Sequence, residues 1–246
     1  MLHKSRGIVL ISYDFGETSL VVQIYTELFG IQSYLVNSVR KKHARIHSNI
    51  FQPLTPVDLV IYHKDRPGLQ RISDIRPNPP LVNIPFDIFK SSMVFFLDEV
   101  LYKSIREIES NSSLFDFIFD SIKRLDSPQP ASNDFHLLFL LKLSRYLGFS
   151  PSQNYTSEKN VFNLKEGLFQ STYPNHPHFI PAPLSGHFAA LINADYSFTL
   201  NITSSERRIL IHFMLEYFAL HIEGFGKIKS HKVLEQVWDE LGGIEQ

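Results

Sequence analysis

The sequence predicts an α+β fold in which a small β-barrel precedes an all-helical domain. Three observations lead to this prediction. Residues 1–80 contain five short runs rich in β-branched and aromatic residues, separated by turn residues. Residues 76–80 (RPNPP) can neither continue a strand nor begin a long helix. Apolar residues then recur at helical spacing, which indicates a change of architecture.

The five predicted strands cover residues 7–13, 18–25, 31–36, 57–62 and 68–75. Glycine-containing turns, at Gly16 and Gly30, separate the first three. Five short strands in this space are the number that a small closed barrel such as an OB-fold needs. The segment 37–54, between the third and fourth strands, is basic and polar and lacks strand periodicity.

Helical periodicity predicts helices over residues 86–108, 114–125, 135–147 and 230–241. A further helix opens near residue 204, with Ser204 or Ser205 as its N-cap. Residues 150–197 are rich in Pro, Ser and Asn and read as irregular. The predicted domains are therefore an OB-fold domain at 1–80 and a helical domain at 81–246, with an irregular, cysteine-free insertion at 149–200.

Composition narrows the function classes. The chain has no cysteine, which removes disulfides, thiolate zinc sites and a cysteine nucleophile. No run of about 20 apolar residues exists, so a cytoplasmic protein without membrane contact is expected. Motifs for nucleotide hydrolysis, dinucleotide binding, serine hydrolysis and kinase chemistry are missing from the sequence. We expect no enzyme and no cofactor, although scattered Ser, His and Asp residues leave a catalytic triad open.

Charge is segregated along the chain. The net charge is −1, but residues 1–80 carry 10 Lys and Arg against 6 Asp and Glu, whereas the remainder carries 14 against 19. The first part is therefore +4 and the rest −5. Residues 40–47 (RKKHARIH) hold four fixed cations without an acidic neighbour. Such a cluster either binds nucleic-acid phosphate or forms a solvated loop. The candidate DNA-binding residues are Arg40, Lys41, Lys42 and Arg45, extended by Lys4 and Arg6.

Aromatic residues near this cluster could stack on bases. The candidates are Tyr13, Phe15, Tyr25, Tyr34 and Phe51. Most aromatic residues of a small barrel belong to its core, and Phe15, in a turn, is the one expected to be least buried.

Two further groups of residues, the histidines after residue 175 and a pair of adjacent carboxylates, have both a functional and a structural interpretation. His176, His178 and His187 could hold zinc, but their spacing matches no zinc motif, so no metal is expected. The adjacent Asp98 and Glu99 could act as paired carboxylates, yet an i,i+4 ion pair between Glu99 and Lys103 explains them.

The predicted helix 135–147 carries Lys142 and Arg145 beside large apolar residues. These cations suit an acidic peptide that ends in an aromatic residue and a carboxylate. The alternative is a core helix with two solvated cations.

The ordered set of motifs resembles the bacterial recombination mediator family RecO. Residues 7–20 (GIVLISYDFGETSL), followed by Tyr25, Thr26 and Gly30, look like the opening of that family. Residues 39–42 (VRKK) and 51–54 (FQPL) resemble its next conserved stretch. Residues 207–210 (RRIL), Tyr217, His221 and residues 228–230 (IKS) resemble its C-terminal region.

The resemblance implies an OB-fold and a helical domain that bind single- and double-stranded DNA and anneal complementary strands. It implies binding of RecR and of the acidic C-terminal tail of single-stranded DNA-binding protein, and loading of RecA onto coated strands, in association with the nucleoid. Lys142 and Arg145 are the candidates for the acidic tail. Many family members carry a four-cysteine zinc module where this chain has residues 155–188, so no zinc site is carried over. The alternative is a non-catalytic scaffold whose barrel binds a peptide.

Overall fold

The computed structural model describes residues 2–39, 46–63, 68–106 and 109–242. The chain separates into two compact units, Met1–Pro128 and Gln129–Gln246. The first unit begins with five strands, which form a closed barrel in the order β1-β2-β3-β5-β4. Their bounds are β1 Leu2–Phe15, β2 Ser19–Thr26, β3 Gly30–Val36, β4 Pro56–Tyr62 and β5 Gln70–Pro77. The predicted five-stranded barrel is confirmed.

Strand β1 closes the barrel because it pairs with two neighbours. Its first half, from Leu2 to Ile8, is antiparallel to β4, and its second half, from Gly7 to Phe15, is antiparallel to β2. Gly7 lies where the two pairings overlap. A Cβ at this position would stand 2.7 Å from side-chain methyl groups of both Ile24 and Leu59. The strand crosses the core there, and a glycine provides the space.

The barrel interior is a continuous apolar cluster of β-branched and aromatic side chains. Tyr34 is fully buried in it, and Phe51, from the β3–β4 connection, closes one end with 3% of its surface exposed. The strand members are Val9, Leu20, Val22, Ile24, Val36, Val57, Leu59, Ile61 and Ile75. Because the barrel is closed, every strand has a hydrogen-bonded neighbour on both sides.

Two helices complete the first unit: α1, Ile88–Ser104, and α2, Ser112–Leu125. Asp87 caps α1 by accepting hydrogen bonds from the amides of Phe89 and Lys90, and Asn111 caps α2. After the end of α2, the Asp126 carboxylate accepts from three consecutive amides, at residues 82, 83 and 84. Through these hydrogen bonds the Asp126 carboxylate holds residues 82–84, which follow the barrel, against the end of α2.

The second unit contains four helices and a small sheet. The helices are α3 Phe135–Tyr146, α4 Leu184–Ile192, α5 Ser204–His221 and α6 His231–Gly242. The sheet has the order β7-β6-β8, from β6 Val161–Asn163, β7 Leu168–Gln170 and β8 Phe179–Ile180. Thr203, rather than Ser204 or Ser205, caps α5, in a reciprocal capping box with Glu206.

The prediction of helices after the barrel is confirmed, and the predicted Glu99–Lys103 pair is present at 2.8 Å. The segment predicted as irregular is more regular than its composition indicated, since it contains the small sheet and α4. The division at residue 80 remains a prediction. The barrel ends at Pro77, and the compact unit that contains it extends through α1 and α2 to Pro128.

A buried histidine gives the second unit a testable pH dependence. His136 is fully buried on α3, and its ring centroid is 5.0 Å from that of Trp238. Burial lowers the pKa of His136 to about 3, and the positive charge of Arg207 makes a smaller contribution in the same direction. An unfolded histidine has a pKa of about 6.5. Between these values the unfolded chain binds one more proton, so stability falls as the pH falls.

We expect His136→Leu to remove this contribution. Between pH 7 and pH 5 the wild-type unfolding free energy should fall by about 2 kcal/mol more than that of the variant. Urea unfolding followed by the fluorescence of Trp238, the single tryptophan, measures it. Equal pH dependence of the two proteins would show that His136 is not held neutral in the folded chain.

Candidate nucleic-acid interface

Strand β1 carries two of the predicted DNA-binding cations on its first half. Lys4 is exposed opposite Val60 of β4. Arg6 is partly buried opposite Asp58. The two side chains differ in environment, because Arg6 contacts carboxylates from two other elements.

Arg6 joins β1 to α2. Its guanidinium donates to both Glu27 oxygens, at 2.9 and 2.7 Å, and to Asp116 at 2.7 Å. It also lies over the rings of Phe115 and Phe119, 4.9 and 5.1 Å from their centroids. The hydrogen bond to Glu27 raises the pKa of Arg6 above its usual value and lowers the pKa of Glu27. Its charge is already balanced within the first unit.

A cleft of about 560 Å³ lies on the β1–β4–β5 face of the barrel, and both signs of charge line it. The charged lining residues are Lys4, Arg6, Arg76, Glu27, Asp58 and Asp74. Arg76 pairs with Asp58 at 3.0 Å. A lining with three cations and three carboxylates does not favour a polyanion, so this face is a poor phosphate site.

The other half of β1 presents the exposed aromatic residues. Tyr13 is 50% exposed and Phe15 is 51% exposed, at the end of the β1–β2 hairpin. Tyr25, Tyr34 and Phe51 are at most 3% exposed and belong to the core. The structure therefore separates the five candidate stacking residues into two that are accessible and three that are not, and Phe15 is accessible as predicted.

Both flanks of the basic segment lie beside this hairpin. The Ser19 hydroxyl, next to the tip, lies 3.2 Å from the Asn37 side-chain oxygen, just after β3. On the other flank, the Ser12 hydroxyl donates to the Phe51 carbonyl at 3.3 Å, and the Leu54 amide donates to the Val9 carbonyl at 2.8 Å. The chain therefore leaves and re-enters the barrel next to the strand that carries Tyr13 and Phe15.

The predicted residues Arg40, Lys41, Lys42 and Arg45 lie outside the described residues. Their assignment to DNA stays a prediction from the charge pattern. The structure describes the flanks of this segment, residues 37–39 and 46–54, and the exposed Tyr13 and Phe15 beside them.

Lys142 and Arg145 lie on α3, where both bind the C-terminal end of α4. The Lys142 ammonium donates to the Ala194 carbonyl at 3.0 Å. The Arg145 guanidinium donates to the Ile192 carbonyl at 2.9 Å. Cations satisfy the last carbonyls of a helix and complement its dipole. The two side chains thus have a structural role, and their assignment to a partner stays a prediction.

Within the ranges that the structure describes, His176, His178 and His187 do not form a group with metal-binding spacing. His178 pairs with Glu216 at 2.5 Å, and its ring lies 5.6 Å from that of His176. Among the described residues, the group of ligands with metal-binding spacing lies elsewhere, on α5 and α6. A four-cysteine zinc centre cannot form in this chain, because the sequence contains no cysteine.

The described residues show the class of fold: an OB-type barrel at the N-terminus followed by six α-helices. Comparison with known protein families identifies the family within this class. The model of the recombination protein O N-terminal domain matches residues 1–78, and that of its C-terminal domain matches residues 85–231. The chain belongs to the RecO family.

Relatives from several bacteria match over nearly the full length. A DNA repair protein RecO of Azobacteroides pseudotrichonymphae is 34% identical over 241 residues, which cover 97% of this chain and 100% of that protein. The Bacteroides fragilis protein of the same name is 35% identical, with coverage of 97% and 100%. That of Flavobacterium psychrophilum is 34% identical, with coverage of 96% and 98%.

Membership of this family supports a role in DNA repair and recombination. The family is one of recombination mediators and not of known enzymes. None of the helices in the described part of the chain has both the length and the apolar character needed to cross a membrane.

Proposed function

We propose that this protein is a non-catalytic recombination mediator that binds single- and double-stranded DNA and anneals complementary strands. The observation that carries the proposal is the closed OB-type barrel of a RecO-family chain. The exposed Tyr13 and Phe15 beside the flanks of a basic segment support it. Aromatic rings next to cations are the combination with which OB-folds hold single strands.

The mechanism requires no covalent step. Cations of the segment 40–45 neutralise phosphates and release their condensed counterions. The exposed rings of Tyr13 and Phe15 stack on bases of one strand. Neutralised phosphates lower the repulsion between two strands on one protein, so complementary bases can pair. Lys4 and Arg6 contribute less, because Lys4 lines the cleft of mixed charge, and Glu27 and Asp116 already balance the charge of Arg6.

We further propose that the protein acts with RecR and with the acidic C-terminal tail of single-stranded DNA-binding protein to load RecA onto coated strands. Lys142 and Arg145 are the candidates for the tail. Arg145 is exposed and Lys142 is partly exposed on α3.

Fluorescence anisotropy of a labelled single-stranded oligonucleotide, titrated with the wild-type protein across a salt series, tests the proposal. We expect saturable binding, with a logarithm of the affinity that falls linearly with the logarithm of the salt concentration. We also expect faster annealing of two complementary oligonucleotides in the same buffer. Absence of binding at low salt would refute the DNA-binding function and favour a scaffold whose barrel binds a peptide.

A further inference from the structure

Helices α5 and α6 bring three potential metal ligands together in the second unit. His212 lies on α5, His231 is the first residue of α6, and Glu235 follows His231 by four residues. Residues four apart on a helix share one face. The two α6 ligands therefore stand one above the other, and α5 supplies the third from the opposite side.

Their donor atoms are close enough for one ion. All three atoms lie within 4.8 Å of one another, and His212 Nε2 lies 3.4 Å from Glu235 Oε1. Zinc bonds of about 2.0–2.2 Å in tetrahedral geometry separate nitrogen and oxygen ligands by roughly 3.3 Å. One pair already has this separation. The other pairs lie within 4.8 Å and reach it with relative shifts of at most about 1.5 Å.

Two atoms of this group lack a hydrogen-bond partner in the described part of the chain. His231 is 8% exposed, and within the described part of the chain its Nδ1 has no hydrogen-bond partner, nor does Glu235 Oε1. The 3.4 Å separation of His212 and Glu235 is wider than a charge-assisted hydrogen bond, which spans about 2.7–2.9 Å. Buried polar atoms without partners are rare in folded chains, and an ion between the three would satisfy them.

We propose that His212, His231 and Glu235 form a site for a divalent transition-metal ion, with Zn²⁺ as its first occupant. Two imidazoles and one carboxylate form a known zinc ligand set, and the imidazoles favour zinc and its neighbours over magnesium or calcium, which prefer oxygen ligands alone. The site differs from a four-thiolate centre in both its ligands and its location, because it links α5 to α6 rather than residues of the 155–188 segment.

One of the three residues, His231, borders a cavity. This cavity, of about 570 Å³, lies between the last part of α5 and the residues that precede α6. Its lining includes the apolar side chains of Leu215, Phe225 and Ile228. Zinc sites with three protein ligands take a water molecule as the fourth ligand. An ion there would fix the start of α6 against α5.

Zn²⁺ binding to the untagged, chelator-treated full chain tests the site. We expect one equivalent of Zn²⁺ to be withdrawn from a chromophoric zinc chelator. His212→Ala should weaken this binding by about ten-fold or more, since even outer-shell changes cost metal sites 10–100-fold. The His212 side chain is 57% exposed, so the variant should fold. Glu235→Gln should weaken binding as well. Zn²⁺ should raise the Tm of the wild type and not that of His212→Ala.

His178→Ala is the matched control, because it removes a histidine that faces a glutamate outside this group. It should bind Zn²⁺ like the wild type. Co²⁺ added to the wild type should give a visible spectrum of a bound, low-coordinate ion, and His212→Ala should lose it. The proposal is overturned if the wild type binds no stoichiometric Zn²⁺, if His212→Ala and Glu235→Gln both keep its affinity, or if His178→Ala loses as much.

Discussion

Replacement of Lys41, Lys42 and Arg45 together by alanine is expected to weaken binding of single-stranded DNA on the order of 100-fold at about 0.1 M salt. Each phosphate contact on a single strand contributes about 0.7 to the slope of log affinity against log salt concentration. Three lost contacts should lower that slope by about 2. Anisotropy of a labelled oligonucleotide, measured for wild type and variant across the salt series, gives both quantities.

A charge-matched control removes three exposed lysines from elsewhere: Lys123, Lys159 and Lys165. Both triple variants change the net charge by −3. If binding depends on net charge alone, they will lose affinity equally, and the assignment of segment 40–45 fails. If neither differs from the wild type in affinity or slope, DNA is bound at another site. A loss confined to the first variant supports the segment as the phosphate site.

The barrel was predictable because its information is local. Alternating and β-branched runs define five strands, and glycines at 16 and 30 have positive φ values of 62° and 59° at the turns between them. The first five residues of β1 were missed. They pair with β4, about 50 residues away, and such pairing leaves no periodic signal in a strand that is partly exposed.

The second unit was harder to predict because its structure depends on short strands and on contacts between residues far apart in the sequence. Its β-strands have two or three residues, shorter than the window over which alternation can be recognised. Helix α4 begins after the Pro181–Pro183 stretch and carries neither a capping side chain nor a basic last turn. Arg145 of α3 binds the last carbonyl of α4, at Ile192, and Lys142 binds the Ala194 carbonyl just after the helix, contacts that sequence spacing does not encode.

The candidate site residues also differ in whether local sequence or long-range packing determines them. Basic character predicts the segment 40–45 as a phosphate site, and this assignment stays a prediction. The position of Phe15 in a turn predicted its accessibility, which the structure confirms. Charge patterning did not reveal that Glu27 and Asp116 balance Arg6, because Asp116 is 110 residues away in sequence. The His231–Glu235 spacing was a local signal that sequence inspection could have found. The addition of His212 depends on the packing of α5 against α6, which required the structure.

The largest stability effect is expected at a buried ion pair of the second unit. Asp134 is completely buried, and its carboxylate accepts from Arg207 Nε at 2.8 Å and from the Leu200 amide at 2.6 Å. Arg207→Met leaves that carboxylate buried without its cation. We expect a loss of about 3–5 kcal/mol of unfolding free energy, as for other buried pairs that lose one partner. Urea unfolding followed by Trp238 fluorescence reports on this unit.

The double variant Asp134→Asn/Arg207→Met separates the unpaired charge from the lost packing. Asparagine keeps an acceptor for the Leu200 amide but carries no charge, so the double variant should regain more than half of the loss. Lys165→Met removes an exposed cation from the same unit and should change stability by less than about 0.5 kcal/mol. If the double variant is no more stable than Arg207→Met, the cost arises from packing of the arginine stem, and the buried charge is not what makes Arg207 necessary.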